Sequence, residues 1–334
     1  MGKGTTELVE ISFQKARELS RSILEELDCL PYEIDYIIQN LIAAELAGKG
    51  SHGLMRLFSF KKQNKHKGEL LNIINESESL LHIDAEYRIG MPVIYQALNR
   101  SIKKTKKIGL VSLGIKNIVV SGYIGDYALQ VTNENLIFIG FSNAPDAIIP
   151  HGTTRAIFGT NPITIGIPNG TNSIILDMAS SKIPMGRVAN AIREGKKLED
   201  NVAMDSTGNI TTDPEKVKHK GKLFGGLLPI SEHKGSGLAM MIQILAGLLT
   251  GSKINEDLKD GRGVFYILLD PTIFMPLKIF QDSLNDLVTS LKEAPLAEGF
   301  SEVLFPGESS NRNRKKGLEK GSIKISKNLY EQLT

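Results

Sequence analysis

The chain has 334 residues, 41% hydrophobic and 23% charged, an ordinary globular composition long enough for two domains with their own cores. Forty Lys and Arg against 37 Asp and Glu leave a formal net charge of +3, which argues against a nucleic-acid partner gripped by one strongly basic face. A single cysteine, Cys29, rules out an intrachain disulfide and suits a reducing, cytoplasmic setting.

In chain order, Ile11 to Leu27 carries apolar residues at helical spacing, with Leu19, Ile23, Leu24 and Leu27 on one face. Cys29 lies beside Leu27 and Leu30 and reads as core packing. Pro31 suits the first turn of a second helix that runs through Ile34, Ile37, Ile38 and Leu41 to Leu46, before Gly48 and Gly50 break the pattern. From about residue 80 short β-rich runs appear: Gly109 to Gly114, Leu136 to Phe141, Ile163 to Ile167, Ser173 to Leu176 and Val264 to Leu269. Helices are expected between them at Pro92 to Lys107 and Gly237 to Leu249, and later from Pro276 to Lys292, with a last strand near Ile323 to Ile325. The stretch Leu238 to Leu249, interrupted by Gln243, is too short to span a bilayer, so no membrane partner is expected. The fold class is α+β: a helical domain from residues 1–70 and 285–334, and a sheet-rich domain over 71–284.

Basic runs at Lys61, Lys62, Lys65 and Lys67, at Lys103 to Lys107, and at Arg312 to Lys316 read as solvated faces, the last also suited to attracting an anion. Met1-Gly2 with Thr6 and Asn169-Gly170-Thr171 fit acylation and glycosylation patterns, but matches this short carry little. Gly48-Lys49-Gly50-Ser51-His52-Gly53 formally satisfies G-x-G-x-x-G. A helix precedes it where the dinucleotide fingerprint needs a strand, and no strand–helix–strand unit is expected after it, so a Rossmann reading is rejected. Six histidines show no ligand spacing, so no metal is expected.

Three clusters can carry chemistry. Ser51 suits the N-cap of a helix in which His52 and Arg56, four apart, share a face. An imidazole there could exchange a proton at a carbonyl while the guanidinium holds a neighbouring carboxylate; a capped surface helix with unrelated His and Arg fits the same residues. Asp177, at the end of an apolar run and followed by Met178-Ala179-Ser180-Ser181, suits a catalytic carboxylate beside a phosphate- or ribose-binding turn, or simply a strand end. His233-Lys234-Gly235-Ser236-Gly237, ahead of an apolar helix, suits a phosphate or ribose, or an exposed turn.

Taken together, these segments resemble the malate/L-lactate dehydrogenase type 2 family across roughly residues 8–331. The ordered motifs are Gly50-Ser51-His52-Gly53 with Arg56, Phe158-Gly159-Thr160-Asn161-Pro162, Leu176-Asp177-Met178-Ala179-Ser180-Ser181, Thr211-Thr212-Asp213-Pro214, Lys234-Gly235-Ser236-Gly237, Phe305-Pro306-Gly307-Glu308 and Gly321-Ser322-Ile323. The family includes malate, sulfolactate and ureidoglycolate dehydrogenases, diketogulonate reductase and piperideine-carboxylate reductase. The resemblance implies a non-Rossmann fold, a homodimer, NAD or NADP as cofactor, and hydride transfer at C2 of a small 2-hydroxy/2-oxo acid. A cyclic imino-acid reductase and a catalytically impaired cofactor-binding homologue are the alternatives.

By the same resemblance His52 is the proton donor, Asp177 its orienting partner, Arg56 the carboxylate ligand, and Ser51, Thr160 and Asn161 substrate contacts. The cofactor would meet Asp177, Met178, Ala179, Ser180, Ser181, Lys182 and Ile183, then His233 and Lys234, and Gly307, Glu308 and Ser309. Asp177 is expected to keep His52 protonatable near neutrality. Two departures stand out: Val120 sits where many members carry an active-site histidine, and Glu45 and Ala47 where they often show Asp and Arg.

Overall fold

The computed structural model describes residues 7–60, 69–254 and 261–334. The basic run at Lys61 to Lys67 and the acylation pattern at Met1 to Thr6 lie outside the described residues.

The chain opens with β1 (Leu8–Ser12), which alternates a buried Ile11 with exposed neighbours and pairs antiparallel with Ser322–Ser326, Ile11 opposite Ile323 and Val9 opposite Ile325. The helix expected from Ile11 therefore begins later, as α1 (Phe13–Glu26), once the Ser12 hydroxyl accepts the Lys15 N–H. The second helix, α2 (Pro31–Leu46), is the one its sequence announces. Pro31 occupies the first turn, and the Glu33 carboxylate returns to the Leu30 N–H at 2.9 Å.

A seven-stranded sheet forms the centre. Its strands are β2 (Asn72–Glu76), β3 (Leu80–Asp84), β4 (Leu110–Ile118), β5 (Ile137–Ser142), β6 (Ile163–Ile167), β7 (Ile174–Met178) and β8 (Arg262–Leu269), in the order β2-β3-β4-β8-β5-β6-β7. Only β3 and β4 run parallel, joined by helix α3 (Gly90–Ile108). This is a strand–helix–strand unit the sequence did not announce, and it is separate from the glycine-rich segment at Gly48. The other pairings are antiparallel, so the sheet is not a doubly wound one. Helix α4 (Ile124–Thr132) packs on β5 and β6, and its Tyr127 enters an aromatic cluster with Tyr95, Tyr266 and Phe138. One apolar core runs from α1 and α2 through these rings to Ile323 and Ile325.

Beyond β7 come α5 (Met185–Glu194) and α6 (His233–Ile242). The latter starts four residues before the expected helix and passes directly into a π turn at Gln243–Leu248. Helices α7 (Leu277–Glu293) and α8 (Glu308–Lys320) precede the final strand, β9 (Ser322–Ser326), and α9 (Lys327–Leu333). No side chain of α7 is buried. Among the described residues no helix is long and apolar enough to cross a membrane.

Three fully buried asparagines fasten irregular backbone to this frame. The Asn40 carboxamide, on α2, accepts the Tyr123 N–H at 2.7 Å and donates to the Tyr123 carbonyl at 3.1 Å, an amide mimicking a strand partner. Asn143 accepts the Gly263 N–H and donates to the Lys253 carbonyl. Asn161 accepts the Ala144 N–H and donates to the Ala239 carbonyl and the Gln243 side chain. Each removes polar backbone from an otherwise unsatisfied burial. Asn40→Ala leaves the Tyr123 N–H without its partner and its carbonyl with only the Asp126 N–H at 3.4 Å, so it should lower stability by about 2 kcal/mol. Urea denaturation checks this; an unmoved midpoint would show that the staple contributes nothing.

Candidate active site

A cavity of about 1710 Å³ opens between the turn after α2, the 120–124 loop ahead of α4, the loop after β5 and the end of β7. His52 and Arg56 both line it, though not on the helix expected for them. Residues Gly50–His52 and Leu54–Ser59 form two short 3₁₀ turns broken at Gly53. The physical reason is Glu45. Its carboxylate accepts the Leu54 N–H at 2.8 Å, taking the bond a Ser51 cap would compete for, and it leaves no room for a side chain at Gly53, whose Cβ would fall 2.0 Å from it. Burial pushes the Glu45 carboxyl up to about 7, against the opposing pull of that N–H. Ser51, freed from capping, sits 3.2 Å from His52 Nδ1 through its hydroxyl.

The imidazole is not poised near neutrality. Burial first, then the charges of Arg56, Lys49 and Arg262, lower its pKa to about 4. The partner expected to counter this is elsewhere: Asp177 accepts the Thr164 hydroxyl at 2.7 Å and the Gly125 backbone N–H, and among the described residues no hydrogen bond or ion pair joins it to His52. Burial raises the Asp177 pKa despite those bonds and the nearby Lys49. Asp177 does face the cavity, as do Thr160, Met178, Ala179, Ser181 and Lys182.

Other expected site residues lie apart from this surface. Asn161 is fully buried and its carboxamide is committed to the three staple bonds above, which leaves no donor for a substrate. Ser180 is likewise buried, its hydroxyl donating to the Asn161 carbonyl, and Ile183 packs in an apolar cluster with Val188. His233 and Lys234 are exposed at the start of α6, His233 edge-on to His151, and neither lines the cavity. The Glu308 carboxylate is held by Lys292, Arg312 and the Phe305 N–H, which lower its pKa although burial opposes them. It is a clasp at the start of α8. Gly307 and Ser309 line a second, smaller cavity of about 240 Å³ that shares Lys49, Tyr123 and Asp177 with the first.

The structure also adds residues that sequence reasoning passed over. Arg262, at the start of β8, lines the large cavity, and burial together with Arg56 lowers its pKa to about 10. Lys49 borders both cavities. Arg155, Lys218 and Lys222 complete a cationic lining, and Val120 supplies an aliphatic wall. Lys49 lay in the Gly-rich match but drew no notice there, and Arg262 sits in no motif at all. Among the described residues, neither Arg56 nor Arg262 makes a side-chain hydrogen bond or ion pair with the protein. The arrangement is a neutral imidazole flanked by two unpaired guanidinium groups, able to bind an anion and move a proton beside it.

The chain matches the family model for malate/L-lactate dehydrogenase over residues 11–334. It is 33% identical over 303 residues to the L-sulfolactate dehydrogenase of Methanocaldococcus jannaschii, covering 87% of this chain and 86% of that protein. To the malate dehydrogenase of Pyrococcus horikoshii it is 31% identical over 326 residues, 93% of this chain and 90% of the relative. The solved structure of the M. jannaschii sulfolactate dehydrogenase superposes with a TM-score of 0.82 at 29% identity, covering 97% of this chain and 95% of that one. On sequence and fold alike, the chain belongs to the malate/L-lactate dehydrogenase family.

Proposed function

We propose that this protein is an NAD(P)-dependent oxidoreductase that interconverts a small 2-hydroxy acid and the matching 2-oxo acid. The relatives named as malate and sulfolactate dehydrogenases support that class. The observation that carries it is His52 between Arg56 and Arg262 in one cavity, with no protein carboxylate neutralising either cation among the described residues.

Size and donor chemistry fit a dinucleotide. The cavity exceeds the ~300–1,000 Å³ usual for one small ligand, and Lys182, Lys218 and Lys222 on its lining suit a pyrophosphate. Of that stretch Met178, Ala179, Ser181 and Lys182 line the cavity, which supports them, rather than Ser180 and Ile183, as contacts to it. When bound, the nicotinamide accepts or supplies the hydride. The chain's own part is to bind and to move a proton. Arg56 takes the substrate carboxylate. His52, neutral in the ligand-free site, accepts the C2 hydroxyl proton during oxidation and returns it during reduction. Ser51 engages Nδ1 and so leaves Nε2 without a protein partner among the described residues. An incoming carboxylate offsets the repulsion from Arg56, Lys49 and Arg262, so the imidazole becomes more basic as substrate binds. The family fold brings the cofactor and the pocket together; Arg56 and His52 bring the acid and the proton.

We further infer self-association as a homodimer, supported by the apolar segment around α7, where Phe274 is 74% and Leu287 66% exposed beside Ile273 and Ile279. The lone thiol, Cys29, is buried and its pKa is pushed up to about 12 by burial and then Glu33, which supports a packing rather than a redox role for it.

His52→Ala should lower kcat by about 10²–10⁴-fold while NADH binding, followed by fluorescence, stays near wild type; retention of kcat would refute the assignment. Oxidation requires the neutral imidazole, so kcat/KM for oxidation should hold steady as pH falls from 7 and decline only as it approaches about 4, whereas kcat should decline at a higher pH because bound substrate raises that pKa. A single coincident limb near 6.5 in both profiles would contradict the electrostatic picture. Light scattering should give twice the chain mass, and Phe274→Glu with Leu287→Glu should halve it; a monomeric wild type ends the dimer reading.

A further inference from the structure

Among the described residues one arginine, Arg88, is fully buried, and its contrast with the half-buried, cavity-facing Arg262 is informative. Arg88 is surrounded by acceptors: Glu86 at 3.3 Å, the Glu69 carbonyl at 3.4 Å and Glu33 at 3.7 Å. A buried guanidinium with a structural task is held in this way, because an unmatched charge in low dielectric is strongly unfavourable. Arg262 has none of it. Among the described residues no side chain or carbonyl pairs with its guanidinium, and its electrostatic neighbour is another cation, Arg56. Asp177, a carboxylate on the same cavity wall, is engaged by the Thr164 hydroxyl and the Gly125 N–H instead.

The backbone beneath Arg262 is nevertheless firmly placed. Arg262 pairs with Ile118 of β4 at a register shift, and Gly263 donates to Asn143 at 2.7 Å. A Cβ on Gly263 would stand 1.8 Å from the Ala246 carbonyl, so the strand is pressed against the π turn with no room for a side chain. A rigid seat beneath an unpaired, cavity-facing cation is the arrangement of a receptor group whose counter-charge comes with a ligand.

Resting on the reading that Arg56 holds the C1 carboxylate, we propose that Arg262 holds a second anionic group of the substrate, a carboxylate or a sulfonate at the end remote from C1, and so sets a preference for dianionic 2-hydroxy acids over monoanionic ones. A carboxylate and a sulfonate present the same fork of oxygens to a guanidinium.

The test compares kcat/KM of the wild-type enzyme and Arg262→Met on malate, 3-sulfolactate and lactate, with both NAD and NADP. Wild type should favour one or both dianions, and the dianion-to-lactate ratio should fall about 10- to 100-fold in Arg262→Met; which dianion loses most distinguishes carboxylate from sulfonate. Arg262→Lys, keeping the charge but not the fork, should fall between. Because removing a buried like charge can also alter folding, thermal unfolding with malonate provides a second reading. Malonate should raise the Tm of wild type by clearly more than that of Arg262→Met, which keeps only the Arg56 contact. An unchanged ratio, a wild-type preference for lactate, or a rise in cofactor KM with the ratio intact would overturn the proposal, the last by assigning Arg262 to the dinucleotide. Wild type inactive on all three acids would instead defeat the oxidoreductase reading on which the proposal rests.

Discussion

A cation enclosed by protein without a counter-charge must take that charge from whatever binds, and the large cavity is organised around this requirement. Arg56 and Arg262 face the same space with no ion-pair partner among the described residues, Lys49 stands at its edge, and together with burial they lower the pKa of His52. The same repulsion that suppresses the imidazole's proton affinity is relieved by an anionic substrate. In the proposed reaction binding and basicity are thus coupled through one electrostatic field, and His52 gains proton affinity once the acid is in place.

That field depends on segments with little secondary structure of their own. The turn bearing His52 is set by Glu45 through Leu54; the loop with Val120 and Tyr123 hangs from Asn40; the start of β8 hangs from Asn143. In each case a polar side chain on one element does for a neighbouring loop what a strand partner does inside a sheet. Such anchors combine irregular backbone, which ligand approach requires, with fixed position, which catalysis requires.

Much of this was legible in the sequence, for identifiable reasons. Pro31 and the apolar spacing after it marked the start and course of α2, and Ile163 to Ile167 was a strand by alternation alone. β1 was hidden because its partner lies more than 300 residues away, and its five residues also fit the apolar rhythm of the helix that follows. At the site, His52, Arg56 and Asp177 stood in motifs and do line the cavity. Arg262 did not, since a lone basic residue opening a strand carries no spacing signal. Asn161 shows the reverse error: a carboxamide can serve a ligand or a backbone, and only the three-dimensional partners reveal which. Glu45 was noticed only as a departure, and its distant hold on Leu54 is what replaced the expected helix at Ser51 with 3₁₀ turns.

The π turn at Gln243–Leu248 carries a consequence for how this chain can vary. Leu249 reaches back five residues to Ile244, and Ser252 five to Gly247, so the segment holds more residues than an α-helix of equal rise. Losing a single one would let it relax to α geometry over the same rise and flatten the bulge, parting the Ala246 carbonyl from the strand at Gly263 that it abuts. Apolar exchanges inside the turn leave that bulge untouched. Its length, far more than its composition, is what evolution must hold constant if the arginine beside Gly263 is to keep its aim.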